Sequence, residues 1–207
     1  MSKLLRCLCW NVQSLCNKEH KVLQLLVSNS IDVACITETW FSSDHSYSTA
    51  IIRDYGYNLI HFYTQKRGTG TAILYKDSGN VQPWERFTTI FESFEYKCLK
   101  INFSNKHGII VCCVYRRQEI NKDIFIHEMK VLLNFCLSLK DNLILVGDFN
   151  YHFEKVLDCN VKEVLDVMSM FGLSPLVPAV PTHKAGHTLD QIFANIYEVD
   201  IDVDNNK

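Results

Sequence analysis

Five polar residues stand at or just beyond the ends of apolar runs that are far apart in the chain. They are Asn11, Glu38, Tyr115, Asp148 and Asn150. Ligand groups converge at strand ends in layered α/β folds, so these side chains are predicted to meet in one site. Carboxylate and carboxamide oxygens suit Mg²⁺ or Mn²⁺ better than zinc. A carboxylate beside such an ion can activate water for attack on phosphorus.

The stretch 147–150, Gly-Asp-Phe-Asn, is the most informative part of this set. It follows Leu143–Val146, whose length and branching are typical of a buried strand. Side chains alternate along a strand, so Asp148 and Asn150 are predicted to point the same way and to grip a metal ion and its phosphate. Taken alone, Asp-Phe-Asn after a strand is more often a turn.

Each of these residues could also have a purely structural role. Glu38 can cap the turn that follows its strand, Asn11 can cap a helix before Leu15, and Tyr115 can be a packed aromatic residue with a surface hydroxyl. The order of the set along the chain favours the metal role for Glu38. For Asn11, a cap and a functional role can both hold.

Basic residues lie in two predicted loops, as Lys66 with Arg67 and as Arg116 with Arg117. Arg67 and Arg116 are therefore candidates for contacts with phosphate, although charged loop residues are more often only solvated.

The histidines give only a weak indication of a zinc site. His183 and His187 have the i, i+4 spacing of a helical zinc pair, but Pro181 and Gly186 argue against a helix there. His152, just beyond Asn150, is interpreted as an ordinary loop histidine.

Composition limits the possibilities further. The 207 residues are 47% apolar and carry a formal net charge of −2. One core and one domain over residues 1–207 are expected, and a broadly basic nucleic-acid coat is excluded. The nine cysteines form no C-x-x-C pair and lie mostly in apolar runs, which indicates an intracellular, reducing environment. No apolar run approaches the length of a membrane span.

Periodicity predicts the elements that position these residues. Strands are predicted at 4–10, 33–36, 57–62, 71–75, 96–103, 109–114, 143–146 and 189–193, and helices at 18–28, 123–139 and 161–171. Segment 41–55 is predicted to be irregular. This order predicts an α/β fold with layers and a mixed sheet.

The motifs W-N-x-x-S, T-E-T-W, V-Y-R, G-D-F-N and P-T-H…T-L-D occur in that order across nearly the whole chain. In this they resemble the endonuclease/exonuclease/phosphatase superfamily. The turn R-G-T-G at 67–70 and the segment from Pro181 to Asp190 are most similar to the apurinic-endonuclease-like domain of non-LTR (LINE) retrotransposons.

The resemblance implies a four-layer α/β/β/α sandwich of the DNase I type and Mg²⁺-dependent hydrolysis of double-stranded DNA, with Mn²⁺ as an alternative ion. Glu38 would be the main metal ligand, with Asn11 beside it. Asp148 would orient or deprotonate the attacking water, and Asn150 would hold the phosphate.

Three further residues take roles from the same resemblance. Tyr115 would contact a phosphate oxygen or assist the leaving group, and Asp190 would be an additional active-site carboxylate, unless it is only a buried hydrogen-bonding group. Thr182 would be a loop contact near DNA. A reverse transcriptase domain would accompany this one in a full element, and a nuclear, monomeric protein is expected.

One departure from the family pattern is important. The family ends its domain with a Ser-Asp-His motif on one further strand, whereas no histidine follows His187 here. The sequence therefore predicts a sandwich without its last strand and weak nuclease activity. Two alternatives stay open: an inactive copy that at most binds DNA or metal, and a superfamily phosphatase acting on lipid or inositol phosphates.

Overall fold

The computed structural model describes residues 5–41, 46–64, 66–77, 80–103, 106–138, 140–196 and 200–203. These residues form ten strands and four helices. The strands are β1 (Cys7–Asn11), β2 (Val33–Thr37), β3 (Tyr57–His61), β4 (Thr71–Lys76), β5 (Val81–Pro83), β6 (Phe94–Phe103), β7 (Lys106–Arg116), β8 (Asn142–Asp148), β9 (Ser174–Pro175) and β10 (Asp190–Ala194). The helices are α1 (Glu19–Ser28), α2 (Ser46–Asp54), α3 (Lys122–Leu137) and α4 (Cys159–Met170).

The strands make two mixed sheets. The first has the order β1-β2-β4-β3 and the second the order β5-β6-β7-β8-β10-β9. Only β1 with β2 and β7 with β8 run parallel, and the other neighbours are antiparallel.

Three apolar clusters separate four layers. The first sheet packs its outer face against α1 and α2 through residues such as Leu23, Leu26 and Ile52. The second packs its outer face against α3 and α4 through residues that include Phe125 and Val164. A third cluster lies between the sheets and contains Val33, Cys35, Ile73, Val111, Cys113 and Val146. The predicted four-layer α/β/β/α architecture is therefore confirmed.

Alternation along β7 shows how the sequence builds these layers. Cys112 packs toward the helices and its neighbour Cys113 packs toward the first sheet, as expected for successive residues of a strand. Both are fully buried and serve as small apolar side chains.

Helix ends follow local capping chemistry. The side chain of Asn121 accepts a hydrogen bond from the Asp123 backbone N–H at the start of α3. Asp158 caps α4 in the same way, because its carboxylate accepts from the backbone N–H groups of Asn160 and Val161.

The prediction of irregular structure over 41–55 was wrong, because α2 occupies Ser46–Asp54 (residues 42–45 lie outside the described part). Its buried residues Ser48, Ile51 and Ile52 have i, i+3, i+4 spacing, but the helix is short and one of the three is polar. Ser48 donates its hydroxyl hydrogen to the Glu19 carboxylate of α1. The apolar pattern of α2 is thus too short to indicate a helix from the sequence. The contact with α1 helps to stabilise it in the folded chain.

Two short strands also escaped prediction. β5 and β9 lie at the two edges of the second sheet, and each ends in a proline. Proline lacks a backbone N–H and is tolerated at sheet edges, so these segments look like loops in the sequence. Among the described residues, none of the helices combines the length and apolar character needed to cross a membrane.

Candidate active site

A row of polar side chains crosses the second sheet at one end of its inner face. Glu95, Tyr115, Asp148 and Asp190 are direct register partners on β6, β7, β8 and β10. Residues opposite one another in a sheet share a face. The residue two positions before Asp148 is Val146, which lies in the apolar cluster between the sheets. The inner face of the second sheet therefore changes from apolar to polar at this end.

A second polar row faces it from the first sheet. Asn11, Thr37 and Thr71 are register partners on β1, β2 and β4. Cys35 and Ile73, two residues away from Thr37 and Thr71, belong to the same inter-sheet cluster. The chain thus brings two polar rows together at one end of the sandwich, with Glu38 directly after β2.

Asn11 joins the two rows. Its Nδ2 donates to Glu38 Oε1 over 2.8 Å and to Asp148 Oδ2 over 2.9 Å, while its Oδ1 accepts from the Gln13 backbone N–H. One amide therefore holds a carboxylate from each sheet. The structure thus brings Asn11, Glu38 and Asp148 into direct contact.

Trp40 supports Glu38 from the other side, because its indole Nε1 donates to Glu38 Oε2 over 3.3 Å. No role was predicted for Trp40, although it belongs to the T-E-T-W motif. The positive φ values of Glu38 and Trp40, 53° and 55°, place both in the left-handed region. That backbone turn directs the Trp40 side chain back toward the carboxylate two residues earlier.

Asp148 is held on both oxygens. Oδ2 accepts from Asn11, and Oδ1 accepts from the backbone N–H of Asn150 over 2.9 Å. The pKa of Asp148 is raised to about 7. Burial is the largest cause, the nearby charges of Asp190 and Glu38 add to it, and the two hydrogen bonds oppose it only partly. The crowding of three acidic groups is the main electrostatic feature of the site.

The donor set fits a hard divalent cation. Carboxylate oxygens from Glu38, Asp148 and Asp190 are gathered where burial disfavours uncompensated negative charge. A divalent ion beside Glu38 would offset this charge. Glu38 and Asp148, whose carboxylates are joined through the amide of Asn11, could hold it.

Tyr115 lies beside these acids and is 9% exposed. Its hydroxyl donates to the Gly68 carbonyl oxygen over 3.0 Å. Burial, followed by the charges of Glu38 and Asp148, raises the pKa of Tyr115, and a hydrogen bond with Asn150 opposes them only partly. The hydroxyl is thus kept protonated as a donor.

Asn150 does not continue the strand as alternation predicted. β8 ends at Asp148, and Asn150 has a φ of 52°. Its Nδ2 donates to the Arg116 carbonyl oxygen over 2.7 Å, and its Oδ1 accepts from Gln118. Asn150 is brought to the site by a left-handed turn and not by strand periodicity.

Left-handed backbone is concentrated around this end of the sandwich. Of the eight non-glycine residues with positive φ in the described chain, six lie in the three loops that follow β1, β2 and β8: Gln13, Ser14, Asn17, Glu38, Trp40 and Asn150. Such conformations are costly and tend to occur at functional sites.

Arg67 and Arg116 differ sharply in their surroundings. Arg67 is exposed, and its guanidinium lies 4.8 Å from the Trp40 ring centroid. It lines an open groove of about 250 Å³ together with Ser14, Cys16, Trp40, Phe41, Thr64 and Lys66. This places a cation directly beside the acidic site.

The prediction that Arg116 lies in a loop was wrong. Arg116 is the last residue of β7 and is only 7% exposed. Its guanidinium donates to the carbonyl oxygens of Asn150 and Ile120 and lies 4.2 Å from the Tyr151 ring centroid. Arg116 therefore holds the loop that carries Asn150.

Thr182 has a positioning contact. Its Oγ1 accepts from the backbone N–H groups of Leu189 and Asp190 over 3.0 and 3.1 Å. The hydroxyl thereby fixes the start of β10, where Asp190 stands opposite Asp148.

Glu95 is a residue beside the site that was not predicted from the sequence. It is fully buried, its Oε2 accepts from the Gly70 backbone N–H over 2.8 Å, and its Oε1 lies 3.4 Å from Arg117. Its carboxylate anchors the turn that carries Arg67. The predicted strand began at residue 96, two residues later than β6, and so left Glu95 outside it.

Residues 8–200 match the family model described as the Endonuclease/Exonuclease/phosphatase family. No curated protein sequence matches the chain. Many solved structures share its fold, all of those cited below at low sequence identity.

Three of these structures are informative. The endonuclease domain of TRAS1, a telomere-specific non-LTR retrotransposon, has a TM-score of 0.69 at 18% identity, over 92% of this chain and 84% of that one. An AP endonuclease from Archaeoglobus fulgidus has a TM-score of 0.66 at 16% identity, over 93% and 87%. The Neisseria 3′ phosphatase NExo, bound to a product DNA hairpin, has a TM-score of 0.65 at 16% identity, over 92% and 86%.

Proposed function

This chain belongs to the endonuclease/exonuclease/phosphatase family, and we propose that it is a divalent-metal-dependent endonuclease. Its proposed reaction is to cut one strand of double-stranded DNA. The observation that best supports this function is the position of the Asn11 amide, which holds Glu38 beside one sheet and Asp148 of the other in a single acidic cluster. The similarity to the TRAS1 endonuclease domain supports DNA as the substrate class.

Glu38 is the main ligand for the ion in this proposal, and Mg²⁺ is the ion that its oxygen chemistry favours, with Mn²⁺ as a substitute. A bound divalent cation would supply positive charge to the phosphate in the transition state. Asn11 and Trp40 keep the Glu38 carboxylate in place from two directions.

Asp148 orients the attacking water and accepts its proton. The hydrogen bonds from Asn11 and from the Asn150 N–H fix both carboxylate oxygens, so the base is positioned before the substrate arrives. Asp190, its register partner, adds negative charge on the neighbouring strand and favours proton uptake by Asp148.

Asn150 and Tyr115 position the phosphate. Asn150 is held by Arg116 and Gln118, and the Tyr115 hydroxyl stays protonated as a hydrogen-bond donor. In-line attack of water on phosphorus then breaks the bond to the leaving oxygen and leaves a 3′-hydroxyl, as the family resemblance implies.

DNA contacts come from local loops, because the chain has a net charge of −2. Arg67 and Lys66 border the open groove next to Trp40, and Lys66 also pairs with the exposed Glu119. Arg67 is therefore proposed as the main phosphate contact beside the acidic cluster.

Nicking of supercoiled plasmid tests this function. The wild-type chain should convert plasmid to the open-circular form in Mg²⁺ and not in excess chelator. Asp148→Asn preserves side-chain size but removes the base, so its rate should fall by at least about 100-fold. Asp166→Asn changes an exposed carboxylate of α4 and should behave as wild type.

Three results would contradict the proposal. Nicking that is unaffected by Asp148→Asn would place the chemistry elsewhere. Faster turnover of phosphoinositides than of DNA would support a phosphatase. A folded wild-type chain without metal-dependent nicking would support an inactive copy that at most binds DNA or metal.

A further inference from the structure

Two histidines and a glutamate form a second polar cluster outside the acidic site. His152 Nδ1 lies 3.1 Å from Glu154 Oε1, and His187 Nδ1 lies 2.9 Å from the same oxygen. The two imidazole rings meet edge to face, with centroids 4.1 Å apart. One ligand atom from each of the three residues lies within 4.8 Å of the others.

The cluster joins two loops that are distant in the chain. His152 and Glu154 lie between β8 and α4, whereas His187 lies in the loop before β10. His183, the i, i+4 partner of His187, instead accepts from the Ala185 N–H with its own ring nitrogen. The two histidines that come together are thus His152 and His187, which belong to different loops and not to one helix.

We propose that His152, Glu154 and His187 form a binding site for a zinc-type transition-metal ion. Two imidazoles and one carboxylate are a ligand set that Zn²⁺ uses with an open fourth position. Nitrogen ligands also distinguish this site from the all-oxygen cluster at Glu38 and Asp148, which favours a hard ion.

The spacing of the ligand atoms supports an ion. Zinc bonds of roughly 2.0 to 2.2 Å at tetrahedral angles place neighbouring ligand atoms about 3.3 Å apart. The observed separations of 2.9 and 3.1 Å between each Nδ1 and Glu154 Oε1 require only small outward shifts. Because the three side chains are between 24% and 41% exposed, an ion can enter from solvent.

Glu154 is already oriented as a ligand. Its second oxygen, Oε2, accepts from the Thr188 backbone N–H over 2.9 Å, so Oε1 is directed at the two imidazoles. Outer hydrogen bonds of this kind commonly fix metal-binding carboxylates. A backbone hydrogen bond from Phe153 to the Thr188 carbonyl oxygen holds the two loops together at the same place.

The expected consequence is a cross-link between the loops that flank the acidic site. His152 is two residues beyond Asn150, and Thr188 is two residues before Asp190. An ion held by both loops would stabilise these segments relative to the unfolded chain, in proportion to its occupancy.

Zinc titration of the full chain, after chelator treatment and removal of the chelator, tests the site by isothermal titration calorimetry and by thermal unfolding. Wild type should bind one Zn²⁺ and unfold at a higher temperature when loaded. His152→Gln and His187→Gln should each bind at least about 100-fold more weakly, since loss of even an outer partner costs up to that factor. His183→Gln, from the same exposed loop, should bind as wild type.

Two further variants test whether thiols or the acidic cluster bind the zinc instead. In one, the exposed Cys7 and Cys159 are replaced by serine, and in the other, Glu38→Gln removes a carboxylate of the acidic cluster. Zinc binding should survive both changes. Co²⁺ added in place of zinc should give the visible absorption of a nitrogen- and oxygen-bound tetrahedral ion, without thiolate bands.

Several outcomes would overturn the assignment. If wild type does not bind zinc, Glu154 and the two histidines form only a hydrogen-bonded clip. Equal affinity in His152→Gln and His187→Gln would place the ion elsewhere, and loss of binding in His183→Gln, the serine variant or Glu38→Gln would replace the proposed ligand set. Circular dichroism of each variant shows whether it is folded before its affinity is compared.

Discussion

The side chain of a single asparagine connects the two halves of the candidate active site. Asn11 donates from one nitrogen to a carboxylate of each sheet, so the relative position of Glu38 and Asp148 depends on both layers packing correctly. Residue type and order in the sequence predicted this grouping. The direction of the amide was not predictable, because it depends on Gln13 and Asp148 contacts that form only in the folded chain.

The two arginines flanking the site should separate binding from stability. Arg67→Ala should leave the free energy of unfolding nearly unchanged, because Arg67 is exposed. Loss of its phosphate contact should reduce the slope of log K for DNA binding against log salt concentration by about one. Arg116→Ala should lower the free energy of unfolding by about 1 to 3 kcal/mol, because two partly buried carbonyl oxygens lose a charged donor.

Urea unfolding and DNA titrations at several salt concentrations measure these effects, with Asp148→Asn as a shared background that prevents cleavage. If Arg116→Ala weakened DNA binding without a loss of stability, the buried role of Arg116 would be refuted.

At the scale of elements, periodicity predicted most strands and the helices α1, α3 and α4, because each buries an apolar stripe with enough repeats. It did not predict α2, which packs through Ser48 and two isoleucines, or Asn150, which a left-handed turn places. The pairing of Glu95 with Gly70 was also not predictable, since that contact depends on how the sheets stack.

Gly147 shows how closely β8 must approach β7 beside Asp148. It has a φ of +151°, and a Cβ there would overlap the Val114 carbonyl group. Gly147→Ala should therefore destabilise the fold by about 3 kcal/mol or more. Gly172→Ala is the matched control, because Gly172 has a φ of +71° with open space around it, so only backbone strain of about 1 to 2 kcal/mol applies.

Urea unfolding of both glycine variants measures how much free energy of unfolding each one loses. The difference separates steric overlap with Val114 from backbone strain alone. Equal losses would mean that close approach of the strands at Gly147 contributes nothing beyond backbone conformation.

Glu95, which anchors the turn that carries Arg67, should contribute to the pH dependence of the free energy of unfolding. Burial raises the pKa of Glu95 above its ordinary value of 4.5, and hydrogen bonds from Gly70 and Arg117 oppose this only partly. The folded chain therefore holds this proton more tightly than the unfolded chain. The stability from the protonated group is fully present below pH 4.5 and is lost as the pH rises through the raised pKa.

Glu95→Gln removes this titration, so its stability relative to wild type should improve as the pH rises above about 4.5. Urea unfolding of both proteins between about pH 4 and 8 measures the difference. A difference independent of pH would show that the Glu95 pKa is not raised in the folded chain.

At the scale of the molecule, the stacking of two sheets creates the candidate active site. Two faces that bury apolar side chains along most of their length become polar at one end, where Asn11, Thr37 and Thr71 face Glu95, Tyr115, Asp148 and Asp190. The family resemblance, which depends on the order of the motifs, implied the four layers. It did not show that the site is continuous with the inter-sheet core, which follows from the register of the strands.

The most direct test of a site shared between the sheets is the Mg²⁺-dependent cleavage rate of duplex DNA by Glu38→Gln, Asp148→Asn and the double variant, under single-turnover conditions. Each single change should cost about 100- to 10,000-fold. Because the two carboxylates act as one unit across the sheets, the double variant should be slower than the slower single variant by less than about tenfold. Losses that multiply, or a single variant that cleaves as wild type does, would contradict a site shared between the two sheets.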